Sequence, residues 1–494
     1  MSKSGVSASN DSRFDAIVIG AGFGGSACAA VLAKEGLKVA LVDKNSRPGG
    51  KAMTVAKDGF RYELWPVIHA PAEGSVCETV LDLVGAREKV EVLKPGRQGS
   101  TYIDKNGGFC RMPQDPTPDP IKIFEILGVP EHQWPAAMEV LGALTLMSAE
   151  EAATLDAVSF ADWLARYDVP QPIMSFLCGI ANGVFMVPID RLAASEGVST
   201  IQQMFLRGGG LYCKGGIGRF AEAYCESVED HGGRVMLRTS VERICVREGR
   251  VTGVETSAGT LSAPIVISNA GLQPTVLKLV GGDHFETPYL DYVKSLEPSW
   301  GMMGTRYFLD RPLLDEPYYM IFSDGGYWDS ARWENTKDGT VPRDVVLWIE
   351  VPANFDAAMA PADRQLVLTG VWCESDPDSA LEHKQIWWNK IDEMMERLWP
   401  GFRSHVERVE HYDTHDVSML TRAATQPGTG GECIGLGQVI GQCGTSKPAA
   451  ESPLPGLFFV GCDAGGFGCG THQAVQSGLD VARLVLKRRS EGMR

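Results

Sequence analysis

The chain has 494 residues, 44% hydrophobic and 22% charged, the balance of a globular protein long enough for more than one domain. Its formal net charge of −16 argues against nucleic acid or anionic lipid as the main partner. The 12 cysteines form no C-x-x-C pair and show no Cys/His spacing suited to zinc, so reduced, mostly buried thiols in a cytoplasmic compartment are expected, and no metal.

The opening stretch MSKSGVSASNDS is polar and lacks the apolar core of a signal peptide, and no apolar run reaches the length of a membrane span. Phe14 to Lys44 reads FDAIVIGAGFGGSACAAVLAKEGLKVALVDK. Ala16 to Ile19 predict a buried parallel strand; Gly20, Gly22 and Gly25 give G-x-G-x-x-G; a helix runs to about Glu35 and stops at Gly36. The second strand, KVALVD, ends on Asp43, near the spacing of a ribose-binding carboxylate. Gly20 permits the tight turn, Gly22 lets backbone approach a pyrophosphate, and Gly25 lets helix pack on strand. The helix start offers free N–H groups to phosphates. In this setting the glycines predict a dinucleotide site, to which Phe23, Gly24 and Lys44 also belong.

Asn45 to Met53, NSRPGGKAM, follows with cations able to pair with phosphate. Here the chain resembles the flavoprotein superfamily that contains amine oxidases and phytoene desaturases. Those proteins carry an acid at the end of the second strand, then Arg, then Gly-Gly-Arg/Lys; Asp43, Arg47, Gly49, Gly50 and Lys51 match one by one. The resemblance implies FAD rather than NAD. It also implies that the segment Trp65 to His69, with Pro66, Val67 and Ile68, passes near the flavin ring system.

From Cys213 to Gly271 a helix is predicted over Ile217 to about Asp230. The run RVMLRTSVERICV then alternates as a strand, REGR makes a hairpin turn, and PIVIS is another buried strand. By resemblance Val241 meets the adenine with its backbone. Outside this block, Gln171 to Val187 reads as an apolar helix, either buried or touching lipid. GMMGTRYFLD, YYMIFSD, DVVLWIEVP and QLVLTGVW read as strands, and Gln385 to Phe402 as an amphipathic helix ending before Pro400.

Gly456 to Gly478, GLFFVGCDAGGFGCGTHQAVQSG, brings a strand to Gly461, a turn with Cys462 and Asp463, and a helix beginning near Gly470, Thr471, His472 and Gln473. The superfamily closes in the same way. The resemblance implies that the turn meets the ribityl and phosphate region and that the helix start faces the electron-rich pyrimidine edge of the flavin. Pro427 to Pro448 and Gly209 to Ala223 are similar to phytoene desaturase-like and carotenoid isomerase-like proteins. The loop Gly-Cys-Gly-Thr-His-Gln departs from their usual Gly-Val-Pro-Gly pattern, which implies a different substrate end.

The implied fold is α/β: a Rossmann-like FAD-binding domain, a parallel sheet with helices plus a small antiparallel sheet, carrying an inserted α+β substrate-binding domain. Residues 12–100, 213–285 and 430–494 are assigned to the first; 101–212 and 286–429 to the second. His472 and His69 are the candidate catalytic bases, and Glu63 reads as structural. Three functions stay open. One is a desaturase or dehydrogenase passing a hydride to flavin N5 from an apolar isoprenoid or cyclic carbonyl compound. The second is an amine oxidase or reduced-flavin polyene isomerase. The third is a non-redox binding protein of the GDP-dissociation-inhibitor type. The enzyme readings imply a small apolar substrate and an electron acceptor (oxygen, a quinone or another carrier), with at most weak peripheral membrane contact.

Overall fold

Four-residue runs of aliphatic side chains, Ala16–Ile19, Val39–Val42 and Ile265–Ser268, are buried along their whole length, as parallel strands covered on both faces must be. A computed structural model of the chain describes residues 12–492 apart from 68, 70–73, 94–98, 104–108, 112–118, 209, 324, 338–339, 344, 380 and 467. The three strands join Leu457–Phe459 and Arg234–Met236 in one parallel sheet, in the order Leu457–Phe459, Ile265–Ser268, Ala16–Ile19, Val39–Val42, Arg234–Met236.

The helix Phe23–Lys34 leaves the first strand through the predicted glycine turn, and every residue of it but Lys34 is buried. Its neighbours are Arg219–Asp230 and the closing helix Gly470–Ser490. The crossing with the closing helix is close because it is made by glycines. A Cβ on Gly478 would stand 2.6 Å from the carbonyl of Gly24, and one on Gly24 would stand 2.9 Å from that of Ala474.

One predicted strand divides. Arg234–Met236 joins the parallel sheet, whereas Val241–Arg247 joins a three-stranded antiparallel sheet with Arg250–Thr256 and Gly259–Ser262. The break is at Arg238, whose positive φ of 54° turns the chain between the two sheets. The REGR turn forms as read, with Glu248 and Gly249 both at positive φ.

A seven-stranded sheet takes the remaining predicted strands as Gly301–Leu309, Tyr318–Ser323, Leu347–Glu350 and Gln365–Cys373. It adds Val406–Tyr412 at one edge and Gly99–Ile103 with Phe109–Arg111 at the other. The helix Gln171–Phe185 lies against it. Phe176 meets Phe322 at 5.6 Å between ring centroids, and Gly183 fits under Trp348. That packing favours the buried alternative for Gln171 to Val187, because most of the apolar surface of the helix is spent inside the protein. Among the described residues, no helix is long and apolar enough to cross a membrane.

Candidate active site

A cavity of about 790 Å³ opens where the parallel strands end and continues to the face of the seven-stranded sheet. Asp43, Lys44, Val241 and Glu242 line one region of it. Gly20, Gly22, Phe23, Gly24, Gly49, Gly50 and Lys51 follow, facing Gly461, Cys462 and Asp463. Beyond them Trp65, Pro66, Val67, Met204, Trp348 and Ile434 form an apolar region, bordered by Gly470, Thr471 and His472.

The loops are shaped by sterics that only glycine satisfies. Gly20 sits at φ +93°, and a Cβ on Gly25 would fall 2.0 Å from the Gly20 carbonyl, so turn and helix pack as the sequence implied. A Cβ on Gly22 would meet the Asn269 amide at 2.7 Å, and one on Gly461 would meet the same side chain at 2.5 Å. Asn269, following the strand Ile265–Ser268, is thus the hub on which the first and last loops converge. The Asp43 carboxylate accepts from the backbone N–H groups of Ala21 and Asn45, both at 2.7 Å. Burial raises its pKa and these two N–H groups oppose the rise.

Two helix N-termini open on the cavity. Neither Phe23–Lys34 nor Gly470–Ser490 has a side-chain N-cap or an acid in its first turn, and both end on cations: Lys34 in one, Lys487, Arg488 and Arg489 in the other. Uncapped N–H groups and two positive dipole ends at different points of one elongated cleft suit a ligand that is anionic near its middle and electron-rich at one end. FAD has that shape, with its diphosphate and the N1/O2 edge of its flavin. The glycine cradle and the carboxylate of Asp43 fit its ADP half.

The cations are arranged otherwise than the sequence implied. Lys51 does not stand free for phosphate; its ammonium donates to the Glu432 carbonyl and to its carboxylate at 2.9 Å. Arg422 also reaches the Glu432 carboxylate, at 3.2 Å through Nε, and Asp463 at 2.7 Å through Nη2. Asp463 further accepts from the backbone N–H groups of Leu272 and Leu436. Burial acts to raise both acids, but Arg422, aided by Lys51, more than offsets it and holds both below the usual carboxylate range. Arg422 belongs to a strap held at the end of the second strand, Val39–Val42. Lys44 donates to the Met419 carbonyl at 2.7 Å and Asn45 to that of Leu420 at 3.0 Å.

The two histidines part company. His472 is half-buried and lines the cavity. His69 is fully buried behind it, with its ring stacked on His472 at 5.8 Å. Its Nδ1 is 2.6 Å from the Thr471 hydroxyl and its Nε2 is 2.7 Å from that of Ser75. Burial, with the neighbouring His472, lowers its pKa to about 3, so the ring is neutral and both nitrogens are engaged. Direct proton transfer by His69 is therefore disfavoured, and what its geometry offers is the orientation of Thr471.

Four other expected residues lie off the cavity wall or outside view. Gly25 packs under the turn; Arg47 is exposed and points at the Thr54 carbonyl; Gln473 is buried and donates to the Cys462 carbonyl; Ile68 lies outside the described residues. Sequence reasoning missed Asn269, Arg422, Glu432 and Glu242. Only Asn269 carried a signal, as the polar residue directly after a buried strand.

Residues 23–486 match the family model described as flavin containing amine oxidoreductase. The chain is 23% identical to all-trans-retinol 13,14-reductase of Homo sapiens over 96% of its own length and 86% of that protein. It is 26% identical to phytoene desaturase (neurosporene-forming) of Rhodobacter capsulatus over 95% and 93%. Its fold is similar to the crystal structure of an oxidoreductase from Methanosarcina mazei, with a TM-score of 0.71 and 18% identity, covering 95% of this chain and all of that one.

Proposed function

The chain belongs to the family of flavin containing amine oxidoreductases, and from that premise we propose that it is a desaturase or dehydrogenase of carbon–carbon bonds in an apolar isoprenoid or cyclic carbonyl substrate. FAD-dependent redox chemistry, with a small hydrophobic substrate and an electron acceptor, is common ground of the family. What supports the narrower reading is the charge distribution of the cavity wall. Its carboxylates are Asp43, Glu242 and Asp463. Asp43 and Glu242 lie beside the first loop and the Val241 strand, and Asp463 is held by Arg422. Among the described residues, the apolar region carries no acid, so an ammonium group entering it would lose hydration with nothing to replace it. A polyene or an alicyclic ring loses nothing there and gains roughly 25 cal/mol for each Å² removed from water.

Bound FAD supplies the hydride-accepting centre. The chain's own part is placement, exclusion of water and proton handling. Trp65, Val67, Met204 and Trp348 line the apolar region. His472 borders it and is the group placed to take the proton from the carbon next to the one that loses hydride, while His69 fixes Thr471 beside it. The division into a cofactor domain and an inserted substrate domain belongs to the same reading: Met204 and Trp348 come from segments assigned to the insertion, and Trp65, Pro66, Val67 and Ile434 from segments assigned to the cofactor domain, so both contribute to the apolar region. The test is anaerobic bleaching of the bound flavin by a panel of isoprenoids, cyclic ketones and amines. Bleaching by an isoprenoid or ketone with formation of an alkene or enone is expected. Bleaching by amines alone, with aldehyde and ammonia formed, refutes the proposal.

A further inference from the structure

Behind the Trp65–Val67 wall of the cavity, two carboxyl groups are buried together. Glu63 ends the strand Phe60–Glu63 and Glu350 ends the strand Leu347–Glu350 of the seven-stranded sheet; both are fully buried. The Glu63 carboxylate is well supplied with donors: Thr54 Oγ1 and the Ile217 N–H, each at 2.8 Å, and the Tyr212 hydroxyl at 2.6 Å. Glu350 accepts from the Val67 N–H through Oε2 at 2.5 Å, and its Oε1 has no partner among the described residues. Glu63 and Glu350 lie within hydrogen-bonding reach of each other, with Tyr212 beside both.

Among the described residues, none of the groups facing the pair makes an ion pair with it. Tyr212 and Tyr318 are neutral phenols, Tyr318 standing opposite Glu350 in the strand register. Tyr412 is also a neutral phenol in the field of Glu350. Arg306, on the strand Gly301–Leu309, spends Nη2 on the Leu64 carbonyl at 2.5 Å, turns Nη1 toward Glu410, and leaves Nε buried without a hydrogen bond among the described residues, and it makes no ion pair with either acid. Neither Glu63 nor Glu350 has a salt-bridge partner among the described residues. Two dry carboxylates in contact without a cation are costly, and the relief is for one of them to keep its proton. A group with three donors favours ionisation, whereas one with a bare oxygen favours protonation.

We infer that Glu350 and Glu63 share one proton, carried on the otherwise unpartnered oxygen of Glu350 and donated to Glu63, and that this pair fastens the cavity wall at Val67 to both sheets. Glu350 is a positioning residue: it holds Val67 through the backbone while the far side of the same segment is held by Arg306 at Leu64. Burial, and then the charge of Glu63, push Glu350 well above the usual carboxyl range. Raising the pH through its titration leaves two like charges at the fastening, so the wall loosens as the pH rises through that titration and not as it falls.

The experiment is infrared spectroscopy of the FAD-loaded enzyme from neutral to alkaline pH, in the wild type and in Glu350→Gln. An amide can donate to Glu63 and accept from Val67 without a titrating proton. A carboxylic C=O band at neutral pH that is lost in Glu350→Gln is expected. So is a visible flavin spectrum that changes with alkaline titration in the wild type and stays constant in the variant. Absence of the band at neutral pH, or a flavin spectrum whose pH profile is the same in both proteins, overturns the inference. Should Glu350→Gln fail to fold, the wild type decides alone with Glu63→Gln as comparison: the carboxylic band must shift when its acceptor becomes an amide, and an unmoved band refutes the shared proton.

Discussion

Replacing Arg422 by Met keeps side-chain length and removes the guanidinium that joins two buried acids. The structure sets the size of the effect. Arg422, Glu432 and Asp463 have side-chain exposures of 12%, 4% and 5%, so water cannot take over the lost contacts. Removing one partner of a buried ion pair costs about 3–5 kcal/mol, because the other charge is left uncompensated. Lys51 remains beside Glu432, but Asp463 keeps only backbone donors, so the expected loss is centred on Asp463. The assay is urea denaturation of the FAD-loaded protein, followed by flavin and tryptophan fluorescence. The pH dependence gives a second reading. Both acids are held below their usual range, so the folded state binds fewer protons than the unfolded chain just below about pH 4. Their stabilisation is therefore present above the unfolded pKa values and lost as the pH falls through the folded ones. Arg422→Met flattens that acid limb. Adding Asp463→Asn recovers part of the loss at neutral pH, because no bare charge then remains. A single variant within about 0.5 kcal/mol of wild type, the scale of an ordinary surface substitution, would refute the reasoning.

Gly22→Val places a side chain where a Cβ already stands 2.7 Å from the Asn269 amide, and purified protein without flavin colour is expected; normal FAD content contradicts the assignment of the loop. His69 is neutral in the folded state with a pKa of about 3, against about 6.5 unfolded. Protons then bind the unfolded chain preferentially between those values, and folding stability falls by about 1.4 kcal/mol per pH unit as the pH drops through that window. His69→Gln removes this slope, measured as the change in denaturation midpoint between neutral and mildly acidic buffer. Lys44→Met combined with Asn45→Ala releases the strap at Met419 and Leu420, and dissociation of FAD, followed by the rise in free-flavin fluorescence, is expected to quicken severalfold.

The cofactor-facing elements were legible because their shapes are dictated locally. A tight turn at Gly20, a close approach at Gly25 and a stop at Gly36 require glycine where glycine stands, and the buried strands announce themselves as short aliphatic runs. The seven-stranded sheet was half legible. The strands Gly301–Leu309 and Gln365–Cys373 are mostly apolar and almost wholly buried, whereas Val406–Tyr412, with its alternating charges and an exposed face, carries a weaker signal. What could not be read are pairings between remote residues. Nothing around Lys51 says that its ammonium meets Glu432, and nothing around Glu63 says that a second carboxyl arrives from Glu350. The run from Arg234 to Val246 shows the same limit: one alternating pattern serves two sheets, and only the tertiary context places the break at Arg238.

The glycine-lined crossing of Phe23–Lys34 with Gly470–Ser490 bears on how the molecule is made. The helix Phe23–Lys34 is apolar on nearly every side, and the helix Gly470–Ser490 that helps to cover it is synthesised hundreds of residues later. Until then the nascent chain carries an incompletely sheltered, sticky segment, a natural client for a holding chaperone. The loops that face each other across the cleft are hundreds of residues apart, so a coenzyme is gripped at both ends only once Gly461 to Asp463 have been synthesised.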